Sequence, residues 1–392
     1  MQLCAVSEPL FPNLKTLELF SVAGKSIPFI PLFLSPRTTI IRLRFIRPES
    51  PTAMVAPMVA TFPILCPSLQ EIRLNYLPMD PAIVAAVSGM LIASNRNTLR
   101  SVIVDSPLTE EAHEAIFKLP NLRDLSLIIE RGTPLPSMVL PNLTDLVIGY
   151  DRDCDWLPMF QEATLGKLEA VTFNHKAEQI GDFLEAFERV TLGSSVQDTL
   201  RQFYLHTSCS WNPNYSSLLP FTQLKDLIIG FSCDDSCSSR VDDDIIMNLA
   251  RTMPKLETLQ LGGEPCSEIP IGVTVKGLVV LANHCPNLLT LTIHFQVASF
   301  SAPAAIHGMT ANVGSTALRR DCTLENLIVG EIPMPEESVL MVAVTLARIF
   351  PHLDYIYYTD QDWEHVVDAI RISRQIIDYS GKPPLYTSKR LW

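Results

Sequence analysis

No run of about 18 uncharged, apolar residues occurs in this 392-residue chain, so no membrane-spanning helix is predicted. The opening residues, MQLCAVSEPLFPNL, lack a basic segment followed by an apolar one, and no secretory leader is read from them. Positive charge is scarce. The 30 Lys and Arg stand against 42 Asp and Glu, the net charge is −12, and no basic stripe is visible, which argues against nucleic acid as a partner. The nine cysteines are odd in number and follow no regular framework, a usage that fits reduced thiols and a cytoplasmic or nuclear location. Catalytic signatures are missing as well. None of the eight histidines stands in H-E-x-x-H spacing, and there is no G-x-S-x-G elbow, P-loop or G-x-G-x-x-G. The expectation is a protein that is not an enzyme, uses no cofactor and does not enter the membrane.

What the chain has in abundance is repetition. The phrase L-x-x-L-x-L, with Ile, Val, Phe or Tyr as substitutes, begins at Leu14, Ile40, Leu69, Leu99, Leu122, Leu143, Leu168, Leu200, Leu224, Leu256, Leu288, Leu324 and Leu353. The mean spacing is about 28 residues, inside the range of leucine-rich repeats. The last two apolar positions of each phrase are two apart and so share one face of a short strand. The first sits at the turn into that strand. Strands repeated at this period stack as a parallel sheet, and the chain must cross back between neighbours. Segments able to cross as helices are Pro81–Ile92, Glu110–Phe117, Glu178–Arg189, Asp243–Arg251, Val273–Asn283 and Glu336–Ile349, where apolar residues recur at helical spacing.

Proline reinforces the phase. It stands two residues before the leading leucine in FPNL, CPSL, LPNL (twice), MPKL, CPNL and FPHL, seven of the thirteen units. There it ends the preceding helix and biases its neighbour toward extended structure. The predicted fold is α/β: a leucine-rich-repeat solenoid over residues 1–358, with parallel strands on a concave face and helices on a convex one. Residues 359–381 are read as a closing helix, with Trp363, Val366, Val367, Ile370 and Ile377 on one side, Asp360 as its cap and Gly381 at its end. Residues 382–392 are expected to be a loose tail. No comparable cap precedes Leu14, so either residues 1–9 cover the first repeat poorly or the natural chain extends upstream.

Helix, C-P-N-L and x-x-L-x-L in succession resemble the leucine-rich-repeat region of F-box proteins, particularly divergent fungal-type members, over Leu10–Tyr358. In that family a short N-terminal F-box docks on the adaptor of a cullin-type ubiquitin ligase and the repeats recruit a substrate. The resemblance implies a substrate-recognition component, with a cullin-ligase adaptor as a second partner if an F-box lies upstream. None is visible in this sequence, and the Asn or Cys that often follows the strand is replaced by Val22, Leu77, Pro107, Glu130 and Asp151. A free-standing repeat scaffold or inhibitor, unrelated to ubiquitin, is the alternative.

The partner protein is expected on the concave face, at the strand positions flanking the core pair. Two groups stand out there: Arg42, Arg44 and Arg73 as a basic spot for a carboxylate or phosphate, and the aromatics Tyr204 with His206 and Tyr355 with Tyr357. Two metal-like patterns are read as ordinary loops. Asp151, Asp153, Asp155 and Glu162 mimic calcium-loop spacing, but Trp156 occupies the position where glycine makes the turn. Cys233 and Cys237 have no second pair for zinc. Asn142 and Asn214 match the glycosylation pattern, but without a leader neither is expected to be modified.

Overall fold

The structure, a computed structural model, describes residues 9–46, 52–94, 97–130, 133–150, 157–160, 163–174, 183–208, 213–232, 241–262, 272–300, 322–330, 332, 334–358, 361–377 and 389–390. The chain divides into two compact units, Met1–Ala177 with Arg189–Thr199, and Glu178–Glu188 with Leu200–Trp392.

The first unit contains strands β1 (Thr16–Val22), β2 (Ile40–Phe45), β3 (Glu71–Asn75), β4 (Ser101–Val104), β5 (Asp124–Ile129), β6 (Val139–Leu140), β7 (Asp145–Tyr150), β8 (Thr164–Leu165) and β9 (Ala170–Asn174). Seven of them pair in the order β1-β2-β3-β4-β5-β7-β9, every pair parallel. The short strands β6 and β8 form a parallel pair of their own. Helices α1 (Thr52–Ala60), α2 (Phe62–Leu65), α3 (Pro81–Ala93), α4 (Glu110–Ile116) and α5 (Leu157–Phe160) lie between strands. Helix α1 packs on α3, and α3 on α4. In sequence, α6 (Phe183–Thr191) runs across the division between the units and α7 (Val196–Thr199) belongs to the first.

The second unit repeats the scheme. Its strands β10 (Gln202–Ser208), β11 (Asp226–Ser232), β12 (Thr258–Leu261), β13 (Thr290–Ile293), β14 (Asn326–Gly330), β15 (Tyr355–Tyr358) and β16 (Lys389–Arg390) pair in sequence order, again all parallel. Helix α8 (Asp243–Thr252) packs on α9 (Val275–His284), and α10 (Val339–Ile349) on α11 (Trp363–Ile377). Within the segment expected to be a tail, Lys389 and Arg390 pair with Tyr357 and Tyr358.

The apolar triplets are the core. From Leu69 to Leu353 every described triplet is buried at all three positions, for example Leu122, Leu125 and Leu127, or Leu256, Leu259 and Leu261. Each fully buried leucine stabilises by about 1.5–3 kcal/mol, so the repeats are held mainly by this column. Adjacent triplets are in register: Leu125 faces Leu146, and Leu259 faces Leu291. The first triplet is the exception at its outer positions, where Leu14 and Leu19 are only half-buried.

The proline motif has a more specific role than stopping a helix. In all seven units the leading leucine N–H donates to the carbonyl three residues back, as from Leu69 to Cys66 (3.1 Å) and from Leu288 to Cys285 (3.2 Å). Proline therefore occupies the second position of a β-turn, where its fixed φ is favourable. The residue before it becomes a fourth core position: Cys66, Leu119, Leu140, Met253, Cys285 and Phe350 are all buried.

Three of the six units without that proline use threonine instead, directly before the leucine. Thr98 Oγ1 donates to the Leu69 carbonyl (2.7 Å), Thr199 to Leu168 (2.9 Å) and Thr323 to Pro286 (3.0 Å). Each hydroxyl ties one repeat to the one before.

One repeat is phased differently from its sequence reading. The apolar residues at Ile40, Leu43 and Phe45 suggest a triplet there, but β2 pairs Ile41 with Leu17 and with Ile72. The unit's triplet is Thr38, Ile41 and Leu43, all buried. Threonine can take the leading place because its hydroxyl is satisfied, donating to the Leu14 carbonyl (3.0 Å) and accepting the Ser35 N–H (3.1 Å).

Helix bounds follow expectation closely for Pro81–Ala93, Glu110–Ile116 and Asp243–Thr252. The last crossing begins as a 3₁₀ turn, Glu336–Ser338, before α10. Asp80, Asp242 and Thr274 cap α3, α8 and α9 through side-chain oxygens that accept the N–H of Ala82 (2.8 Å), Ile245 (2.9 Å) and Lys276 (3.1 Å). Asp243 links neighbouring helices, accepting from Thr274 N–H (2.8 Å) and Gly277 N–H (3.1 Å). A Cβ at position 277 would sit 2.6 Å from that carboxylate, so glycine makes the approach possible.

The closing helix buries Trp363, Val366, Val367 and Ile370. Trp363 stands edge-on to Phe295, 5.9 Å between ring centres, and donates its indole N–H to the Ile332 carbonyl (2.8 Å). Asp360 and Gly381, expected to bound this helix, lie outside the described residues, as do Asp151, Asp153, Asp155, Glu162, Cys233 and Cys237.

Candidate protein-binding face

Because side chains alternate along a strand, each parallel ladder that buries its triplets presents the intervening residues on the opposite face. Register sorts them into ranks. In the first unit, rank one is Thr16, Ile40, Glu71, Ser101, Asp124, Asp145 and Ala170, and rank two is Glu18, Arg42, Arg73, Ile103, Ser126, Val147 and Thr172. Arg44 pairs with Asn75 in the next rank. The shifted phase of β2 thus corrects the expected arrangement: Arg42 stands beside Arg73, and Arg44 is one rank further on.

The three arginines are in different states. Arg42 is held by its neighbours. Its Nε and NH2 donate to the two Glu71 carboxylate oxygens at 2.6 and 3.0 Å, and NH1 lies 3.6 Å from Glu18. This fork-to-carboxylate pairing favours the charged guanidinium and occupies its donors. Arg44 is exposed and lies over the Tyr76 ring, 4.9 Å from its centre, with NH2 3.4 Å from the phenol oxygen. Arg73 makes no ion pair among the described residues, and its Nε is buried without a hydrogen-bond partner. The basic spot read from the sequence is therefore one neutralised arginine and two with donors to spare.

Rank one of this unit is acidic. Asp124 and Asp145 face each other across the β5–β7 pair. Partial burial, then the charges of Asp145 and Glu71, raise the Asp124 carboxyl above its ordinary range, while a bond from Ser101 opposes the shift.

In the second unit, rank one is Gln202, Asp226, Thr258, Thr290, Asn326 and Tyr355, and rank two is Tyr204, Ile228, Gln260, Thr292, Ile328 and Tyr357. Asp226 is the single charge in these positions, and Gln202 Nε2 donates to it (3.0 Å). Tyr355 and Tyr357 stack, ring centres 6.3 Å apart and planes 28° from parallel. Tyr204 is half-buried, and burial followed by the Asp226 charge pushes its phenol up. Tyr204 and Tyr357 share a rank but stand five strands apart, roughly 24 Å at the usual strand spacing. They bracket a neutral strip of Ile228, Gln260, Thr292 and Ile328 and do not form one patch.

His206 is exposed and leans over the next strand. A Cβ on Gly230 would lie 2.7 Å from its Nδ1, so the imidazole occupies space that only glycine leaves open. Three strands on from His206, His294 lies over Gly262, which stands just past the end of the preceding strand and has φ +120°, and burial pushes that imidazole down. Sequence inspection selected His206 but missed His294 and both glycines. The available signal was the glycine immediately after the core pair in β11 and β12.

Among the described residues, no three His, Cys, Asp or Glu side chains are grouped to hold a metal ion, and no helix is long and apolar enough to cross a membrane. Asn214 uses its carboxamide internally, donating to Glu185 (3.0 Å) and accepting the Ser216 N–H (3.3 Å). Asn142 donates to the Pro120 carbonyl (2.8 Å), another tie between repeats. No protein-family model and no curated protein matches this chain.

Proposed function

We propose that the chain is a leucine-rich-repeat solenoid that binds another protein on its open strand face, as the substrate-recognition component of a cullin-type ubiquitin ligase. The observation that carries the binding part is the in-register column of buried triplets in each unit. It commits the alternate strand positions to a broad face built from ordered, mutually adjacent side chains. Such a face suits recognition of an extended surface, and repeat proteins use it in this way. The ubiquitin part rests on the resemblance of the C-P-N-L and L-x-x-L-x-L phrasing to F-box receptors. The departure from that phrasing after the strand, at Val22, Leu77, Pro107, Glu130 and Asp151, supports the second reading, a free-standing scaffold or inhibitor.

Affinity purification of the protein at native expression, followed by mass spectrometry, tests both readings. A ligase receptor co-purifies with a cullin and its adaptor, plus a substrate protein lost when strand-face residues are changed. A partner retained without cullin or adaptor selects the scaffold reading. Partner capture indifferent to changes on both strand faces overturns the proposal.

A further inference from the structure

The first unit's strand face holds a charge pattern that its own residues leave incomplete. Arg42 and Arg73 are register neighbours on β2 and β3, so two like charges stand side by side. Such pairs are destabilising unless compensated. Arg42 is compensated within the sheet by Glu71 and Glu18. Arg73 is not: among the described residues it has no ion pair, and its Nε lacks a partner.

Diagonally from Arg73, on the same face, Arg44 is held in place from behind. Its guanidinium rests on the Tyr76 ring, and the Tyr76 backbone is itself constrained. Tyr76 has φ +59°, a left-handed conformation uncommon for a side chain of this size. The Asp105 carboxylate secures it by accepting the N–H groups of Tyr76 and Leu77. Strained backbone maintained by a dedicated carboxylate is a recurrent feature of binding sites. The consequence here is that Arg44 is presented with less freedom than a surface arginine ordinarily has.

We propose that Arg73 and Arg44, with Tyr76 as the back wall, form a clamp for a carboxylate on an extended acidic segment of the partner protein. This rests on the strand-face reading above and names the chemistry of what that face takes. A carboxylate suits the clamp because two guanidinium groups offer planar pairs of N–H donors matching its two oxygens. The neighbouring acids act as selectivity elements. Glu18 and Glu71 are occupied by Arg42, and the rank-one carboxylates Asp124 and Asp145 repel an anion placed elsewhere on the face. The clamp is thus the one anion-accepting position among the described strand-face residues of this unit.

The test uses the purified full chain and an acetylated, amidated hexapeptide of alternating Ser and Glu, with the Gln peptide as control. Arginine Nε–H resonances are followed by NMR while fluorescence anisotropy reads affinity. The Nε–H signals absent in Arg44→Lys and Arg73→Lys should shift with the Glu peptide and stay still with the Gln peptide. Each lysine variant retains the charge, loses the fork, and should weaken binding by about tenfold, the scale of a charge-assisted bond, with an unchanged thermal transition. Failure of the Glu peptide to bind, or binding by both lysine variants as tight as by the unchanged protein, overturns the clamp. Native-partner capture distinguishes that failure from a wider one. If capture survives the double lysine variant but is lost in Tyr355→Ser/Tyr357→Ser, the clamp falls and the strand-face reading stands. If both changes leave capture intact, the strand-face reading falls too.

Discussion

The two units share one construction and differ in what it displays. In the first, the ranks crossing the strand face carry Glu18, Arg42, Glu71, Arg73, Asp124 and Asp145; in the second, across β10 to β15, they carry Asp226 alone, among tyrosine, isoleucine, threonine and amides. Both units bury the same kind of apolar triplet, so the core does not dictate the difference. A parallel ladder constrains every second residue tightly and leaves the others nearly free. Two adjacent stretches of one architecture can therefore present an ionic surface and a neutral aromatic one.

The ends of the repeat array give the largest contrast. Trp363→Ala removes a fully buried side chain, its contact with Phe295 and a hydrogen bond to Ile332. It should cost about 3–5 kcal/mol in chemical denaturation. Leu19→Ala, at the half-buried first triplet, should cost about 1–2 kcal/mol, since less surface is returned to water. Equal losses would mean that the first strand is covered as well as the last.

Acid should weigh on the first unit more than on the second, where burial also pushes the His294 imidazole down but by less. His113 is fully buried in the first unit beside Phe117, neither ring nitrogen has a partner, and burial pushes its pKa down from 6.5 to about 4. The unfolded chain therefore binds a proton that the folded chain refuses. Stability is fully present above pH 6.5 and falls as pH drops toward 4, by about 3 kcal/mol in all. His113→Leu should flatten that part of the stability profile, and an unchanged slope would remove His113 as its cause.

Charge removal is a smaller probe. Asp145→Asn should lower the Asp124 pKa toward its ordinary value and stabilise the protein at pH 7 by roughly 0.5 kcal/mol, the scale of exposed charge pairs. The sign follows from the raised folded-state pKa: ionising Asp124 in the fold costs stability as pH rises through it. Asp226→Asn in the second unit meets no acidic neighbour in its rank and should give no such gain. Carboxyl NMR titration reads the first effect and denaturation the second. The smallest expected change is Gly230→Ala, which should displace the His206 ring and shift its NMR resonances with little loss of stability.

Legibility in the sequence tracked how local each cause is. The triplets could be read because alternation and spacing are properties of one strand. The repeat at β2 was misphased because Thr38 passes for a leucine only where Ser35 and Leu14 satisfy its hydroxyl. Helix α1 escaped notice since its residues, TAMVAPMVA, are apolar on every side and include Pro57, so no helical period shows. At the candidate face, Arg42, Arg44 and Arg73 were each identifiable. Which of them is free depends on Glu71, 29 residues from Arg42, and on Tyr76, whose backbone is set by Asp105 just past the end of β4.

The turn before each leading leucine has an unexpected practical consequence where its first residue is cysteine. Cys66 and Cys285 occupy that place and Cys322 lies nearby, all three free and sealed from solvent. Burial pushes the Cys66 thiol to about 11 and the Cys285 thiol to about 12. At neutral pH so little thiolate forms that an alkylating reagent must wait for the surrounding repeat to open. Cys66 then serves as a clock for breathing of the first unit, Cys285 and Cys322 for the second, and peptide-resolved labelling reads both in a single tube without adding any foreign probe.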